Sequence, residues 1–143
     1  MYKNFNELGV KDKDNVDQYN VANITDANHK KYILSNNRFV LVEVYADWCG
    51  PCKQYAADYS VLADKYNKNG ICILLKEKYD LKLSSNVEGV PTFIYYLNGV
   101  EVERDVGISK DIESKIQNYL KSEFAGPQYS KSSIRNSMSY SQK

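Results

Sequence analysis

One junction constrains the fold of this chain more than any other: an apolar run, Phe39–Tyr45, passes through Trp48-Cys49-Gly50-Pro51-Cys52-Lys53 into an amphipathic stretch over residues 52–66. The run is too apolar for an edge strand and predicts a central strand buried on both faces. The stretch after it predicts a helix, closed by the Asn67-Lys68-Asn69-Gly70 stop signal. A strand feeding a helix in this way sets Cys49 just ahead of the helix and Cys52 in its first turn. Free backbone amides and the positive end of the helix dipole then face the Cys49 sulfur and favour its thiolate. The thiolate is the attacking species in disulfide exchange. Two intervening residues let Cys52 reach back and close a disulfide with Cys49. Gly50 is expected to permit the tight approach, and Pro51 to pre-set φ where a missing N–H costs nothing.

The alternative for a Cys-x-x-Cys pair is half of a zinc site, which needs about four ligands. The remaining candidates here are Cys72 and His29, without a second Cys-x-x-Cys or a His pair at ligand spacing. The pattern therefore favours a redox dithiol over a metal site. With 19 Lys and Arg against 18 Asp and Glu, the formal charge of +1 builds no field for nucleic acid or an anionic membrane. No apolar run approaches the roughly 20 residues of a membrane span. The polar start, Met1-Tyr2-Lys3-Asn4-Phe5-Asn6-Glu7, does not read as a secretory signal, and the end carries no endoplasmic-reticulum retention sequence. Three cysteines do not make a disulfide scaffold. A reducing, cytoplasmic setting is expected.

The 143 residues suffice for one domain with a sizeable core. Residues 1–18 are charged and aperiodic and read as an N-terminal extension. A domain over 19–124 follows. Residues 19–24 read as a first strand, with Thr25 as N-cap of a helix through Leu34. After the central strand and its helix, residues 71–75 read as another buried strand and 79–85 as a short helix. Thr92–Leu97 and Val100–Val106 read as a hairpin across Asn98-Gly99. Residues 110–124 form a last helix, with Ile112, Ile116, Tyr119 and Leu120 on one face. From Ala125 to Lys143 the chain is serine-rich and poor in apolar residues, and reads as a disordered tail. The order β-α-β-α-β-α-β-β-α predicts an α/β fold with parallel strands finished by an antiparallel hairpin.

Leu41-Val42-Glu43-Val44-Tyr45-Ala46-Asp47-Trp48-Cys49-Gly50-Pro51-Cys52-Lys53 resembles the active-site segment of the thioredoxin family. Gly89-Val90-Pro91-Thr92-Phe93 resembles that family's cis-proline segment, and Asn98-Gly99 and Val106-Gly107 its final hairpin and the glycine after it. The resemblance spans about residues 20 to 122. It implies a thioredoxin fold: a mixed central sheet flanked by helices on both faces. It also implies reduction of protein disulfides, with Cys49 as nucleophile and Cys52 as the thiol that resolves the mixed disulfide. Cys49 is expected to be the more exposed sulfur. Glu43, where thioredoxins usually carry aspartate, becomes the candidate proton acceptor for Cys52. A surface formed by Trp48, Gly50, Pro51, Val90, Pro91 and Gly107 would receive the substrate, the Val90 backbone pairing with it as an added strand. Disulfide-bonded proteins are the implied substrates, and a thioredoxin reductase drawing on NADPH the implied recycling partner. No bound cofactor or metal is needed, and a monomer is expected.

Some residues depart from that pattern. Glu43 and Tyr45 are more typical of protein disulfide isomerase domains, which raises an oxidase or isomerase as the alternative. A binding or structural subunit with an idle dithiol is the rival from a different class. Proline between the cysteines favours reduction. The lysine that many relatives place near the buried acid is replaced by Cys72 on ungapped alignment to Pro91, and Lys76 falls about 13 Å further along the strand. Glu43 is accordingly expected to lack a cationic neighbour. Cys72 reads as a small core residue, and His29 as a surface or hydrogen-bond-satisfied histidine.

Overall fold

The computed structural model describes Tyr19, residues 21–68 and residues 72–123. The N-terminal extension and the serine-rich tail lie outside the described residues. The elements in chain order are β1 (Asn23–Ile24), α1 (Ala27–Asn36), β2 (Phe39–Tyr45), α2 (Gly50–Tyr66), β3 (Cys72–Lys78), a 3-10 turn (Tyr79–Leu81), β4 (Thr92–Leu97), β5 (Val100–Val106) and α3 (Ile112–Glu123). The sheet runs β1-β3-β2-β4-β5. Its first three strands are parallel, β4 is antiparallel to β2, and β5 is antiparallel to β4. This is the expected mixed sheet, with the Phe39–Tyr45 strand at its centre. Contacts divide the chain after Lys110. Of the second unit the described part is α3, which repeats Ile112, Ile116, Tyr119 and Leu120 at helical spacing.

Side chains of β2 alternate between two faces, as strand geometry requires. Val40, Val42 and Val44 join Ile33 of α1, Ile73, Leu75 and Ile94 in one apolar cluster. On the other face, Tyr59 of α2 is fully buried, and its hydroxyl reaches the carbonyls of Leu41 (3.2 Å) and Leu75 (2.9 Å). Burial holds that phenol well above its ordinary pKa, so it stays a donor. Phe93 of β4 receives Tyr55 edge-on at 5.7 Å between centroids. Helices therefore cover both faces of the sheet, α1 on one and α2 on the other.

Several boundaries differ from the expectation. The N-cap of α1 is Asp26, whose Oδ1 accepts the His29 N–H at 2.8 Å; Thr25 lies one residue outside. The helix runs on to Asn36, because the asparagine cluster satisfies its last carbonyls: Asn36 donates to Tyr32 O and Asn37 to Ile33 O. β1 keeps two residues of the six expected, preceded by buried Val21 and Ala22. The helix expected over residues 79–85 shortens to a 3-10 turn, since Lys82 adopts φ 53°. β3 continues past Leu75 through Lys76, Glu77 and Lys78. Three successive charges looked like the end of a strand, yet Lys76 and Glu77 are both buried.

Candidate active site

Cys49 is the N-cap of α2, with extended backbone (φ −89°, ψ 111°), and its Sγ accepts the Cys52 N–H at 3.1 Å. Cys49 O accepts the Lys53 N–H, and Pro51 sits in the first turn, where its missing donor leaves no gap. The two sulfurs are joined in a disulfide across 5.3 Å between Cα atoms. The exposure difference expected between them is not present in this form, since Cys49 is 4 % and Cys52 5 % exposed. Their asymmetry comes instead from the helix end: the amide aims at the Cys49 sulfur. Gly50 differs too from the expectation, because a Cβ there would meet nothing within 4 Å. The glycine leaves the ground beside the disulfide low rather than making a close approach within the chain possible. Trp48, 66 % exposed, is not a core residue.

Ala46, Cys49 and Cys52 form a small buried cluster against which Tyr45, Tyr79 and Val90 pack. Val90 precedes a cis peptide bond to Pro91, as the motif implied. The Pro91 carbonyl accepts the Gly107 N–H at 2.8 Å, and Gly107 sits at φ +86°, a conformation that favours glycine. A Cβ added to Gly89 would touch Val106. The segment before β4 and the end of β5 are thereby tied together next to the dithiol. Val106 (69 % exposed) and Ile108 add exposed apolar surface at that end of β5.

Glu43 is completely buried. In the β2/β3 register its neighbour is Lys76, not Cys72. This corrects the expectation that the acid lacks a cation: neighbouring strands lie about 4.8 Å apart, and position along the strand is set by the β2/β3 pairing rather than by counting back from Pro91. Counting forward from the central strand would have found Lys76. The Lys76 ammonium lies 5.0 Å from the Tyr45 ring centroid and 5.7 Å from that of Tyr19, and the Tyr45 hydroxyl donates to Asn23 at 2.8 Å. A cavity of about 350 Å³ beside them is lined by Tyr19, Tyr45, Asp47, Cys52, Lys53 and Lys76, among others. The second cysteine and the lysine beside Glu43 thus share one cavity.

Cys72 pairs with Phe39 at the start of β2, away from Glu43. It is a free, buried thiol, and burial pushes its pKa up, so it stays protonated. His29 is half-buried: its Nδ1 faces the Thr25 N–H at 3.3 Å, while Nε2 is buried without a hydrogen-bond partner. Burial lowers its pKa, so it is neither a surface nor a satisfied histidine. Among the described residues, no three or more His, Cys, Asp or Glu side chains are grouped to hold a metal ion. Nor is any described helix long and apolar enough to cross a membrane.

A cysteine pair oxidised across the first turn of a helix, backed by a cis-proline on a mixed sheet, defines the thiol–disulfide oxidoreductase class of site. The thioredoxin family model matches residues 20–122, and the chain belongs to that family. Thioredoxin-T of Drosophila melanogaster is 31 % identical over 109 residues, covering 75 % of this chain and 62 % of that protein. Protein disulfide isomerase-like 1-4 of Arabidopsis thaliana is 33 % identical over 104 residues, covering 66 % of this chain and 17 % of that protein. The chain therefore spans less than two thirds of these two relatives. The solution structure of oxidised thioredoxin from Plasmodium falciparum superposes with a TM-score of 0.60 at 30 % identity, covering 69 % of this chain and 97 % of that one.

Proposed function

We propose that this protein reduces disulfide bonds in other proteins by cycling Cys49 and Cys52 between dithiol and disulfide. The observation that carries the reading is the Cys52 amide aimed at the Cys49 sulfur at the start of α2. In the reduced protein it favours the Cys49 thiolate, which attacks a substrate disulfide. The substrate S–S bond breaks, a mixed disulfide forms on Cys49, and one substrate thiolate leaves. Cys52 gives up its proton and attacks the Cys49 sulfur. The second substrate thiolate departs, taking a proton, and two electrons have passed to the substrate. The Cys49–Cys52 disulfide is the product.

Glu43 is the proton acceptor for Cys52 in this scheme. Lys76, beside Glu43 in the sheet and in the cavity with Cys52, offsets the charge of the carboxylate and links it to that cavity. Substrate lies across Trp48, Gly50, Pro51, Val90, Pro91 and Gly107, and the Val90 backbone pairs with it as an added strand. The packing of Val90 against the dithiol supports this placement. The reading includes a cytoplasmic, reducing setting and a flavoprotein thioredoxin reductase that returns the disulfide to dithiol.

Equilibration with defined thiol buffers tests it. A reduction potential near the roughly −270 mV of thioredoxins is expected. A value near about −180 mV would make the protein an oxidase or isomerase, the reading that Glu43, Tyr45 and the isomerase-like relative favour. The gap is about 4 kcal/mol, well outside the error of such titrations.

A further inference from the structure

Residues 82–90 link the 3-10 turn to the cis-proline without any helix or strand. Two of them, Lys82 (φ 53°) and Asn86 (φ 58°), adopt left-handed backbone without being glycine, a conformation that L side chains adopt rarely. Such a segment keeps its shape only if its surroundings hold it. Two cationic side chains from different elements do so. From α1, the Lys30 ammonium donates to the Ser84 hydroxyl and the Leu83 carbonyl and pairs with Glu77 at 3.1 Å, while Ser84 donates to the same Glu77 oxygen. From β5, Arg104 Nη1 donates to the carbonyls of Ser85 (3.2 Å) and Asn86 (3.1 Å). The rest of the guanidinium is locked by Glu101, through Nε at 2.6 Å and Nη2 at 2.8 Å. Leu83, Val87 and Val90 anchor the segment in the core on the α1 side of the sheet.

Arg104 and Gly107 lie three residues apart, and both grip the approach to the dithiol: Arg104 at residues 85 and 86, Gly107 at Pro91. We infer that Arg104, locked by Glu101 and assisted by the Lys30, Glu77 and Ser84 contacts, is a positioning residue that sets the Val90 edge for pairing with a protein substrate. The inference rests on the reading of Val90 as the substrate-pairing edge. It makes the affinity for extended protein disulfides depend on a guanidinium fork remote from the sulfurs. Lysine cannot replace that fork, because a point-charge ammonium cannot span two carbonyls and a carboxylate at once. A small disulfide, which needs the Cys49 sulfur but no strand edge, would be indifferent to it.

The test uses the full chain, reduced, with insulin as the protein disulfide and dithiodipyridine as the small one. Arg104→Met is expected to raise the KM for insulin about tenfold with kcat held, and Arg104→Lys to give a partial increase. The dithiodipyridine rate and the reduction potential stay at wild-type values in both. Ser84→Ala, a milder change at the second grip, should raise the insulin KM by a smaller factor, and it decides the matter if Arg104→Met does not fold. Wild-type kinetics on insulin in these variants would overturn the clamp, as would an equal loss on both disulfides, the mark of mere destabilisation. A wild-type protein that reduces dithiodipyridine but not insulin would sink the substrate-edge reading itself, and the clamp with it.

Discussion

Lys76 and Glu77 are consecutive residues of β3, and the strand sends them to opposite faces of the sheet, where each neighbours a residue of the other sign. Glu77 meets Lys30 of α1 in a 3.1 Å ion pair under the loop that leads to Pro91. Lys76 is the register neighbour of Glu43 in β2 and lines the same cavity as Cys52. Both pairs cost desolvation, yet they differ in what surrounds them. Ser84 donates to the same Glu77 oxygen that pairs with Lys30, and the Glu77 side chain is 1 % exposed, so the pair is enclosed and holds shape. The Lys76 ammonium lies against two aromatic rings with a cavity next to it, an arrangement open to water and proton movement. Similar chemistry on two faces of one strand is enclosed in one place and borders a cavity in the other, which is the difference the proposed proton transfer at Glu43 relies on.

That contrast can be broken experimentally. Lys30→Met strands the buried Glu77 carboxylate and is expected to cost about 3–5 kcal/mol by denaturant unfolding. Adding Glu77→Leu should recover much of the loss, because removing both charges of a buried pair is far cheaper than removing one. The dithiodipyridine rate should not change in either protein.

Glu43→Gln should behave in the opposite sense. The step in which Cys52 resolves the mixed disulfide should slow about ten- to a hundredfold, followed by rapid quench after mixing reduced protein with substrate. Stability should move by less than about 1.5 kcal/mol, since glutamine keeps the shape and the Lys76 ammonium left behind lies against two aromatic rings and a cavity. A stability loss as large as that of Lys30→Met, with an unchanged resolution rate, would erase the distinction between the two pairs.

The smallest effect is expected one residue before Lys30. Burial lowers the folded-state pKa of His29 below its ordinary value near 6.5. Below that pH the unfolded chain therefore binds more protons than the folded one. The stabilisation is complete above about pH 6.5 and is lost as pH falls through the depressed folded pKa. For a half-exposed group this amounts to under ~1 kcal/mol. His29→Gln should flatten the unfolding midpoint between pH 7.5 and 5.5, roughly the window in which a histidine titrates. An unchanged slope would assign the pH dependence to carboxylates instead.

The parts of the fold legible in the sequence are those whose causes lie within a few residues. β2, β4 and β5 have the bounds that their apolar pattern and the Asn98-Gly99 turn require. α2 follows from the Cys49 cap, Pro51 and the stop after Tyr66. The dithiol itself was legible, because a three-residue separation at a helix start leaves the two sulfurs no other easy arrangement. Cys72 read as core for the same reason as its neighbours: it continues an apolar run.

What escaped the sequence depends on register between strands far apart in the chain. The strand read over residues 71–75 continues through Lys76 and Glu77, although charge usually marks a surface; their neighbours in β2 and α1 accompany that burial. The Lys76–Glu43 neighbourhood, the grip of Arg104 on residues 85 and 86, and the shared cavity all join segments 10 or more residues apart. The sequence by itself determined the strand–helix junction and the chemistry of its two cysteines, because local backbone preference and helix electrostatics act over one turn. Only the tertiary structure decided which buried charge faces which, because a one-residue slip in register would send each to the opposite face.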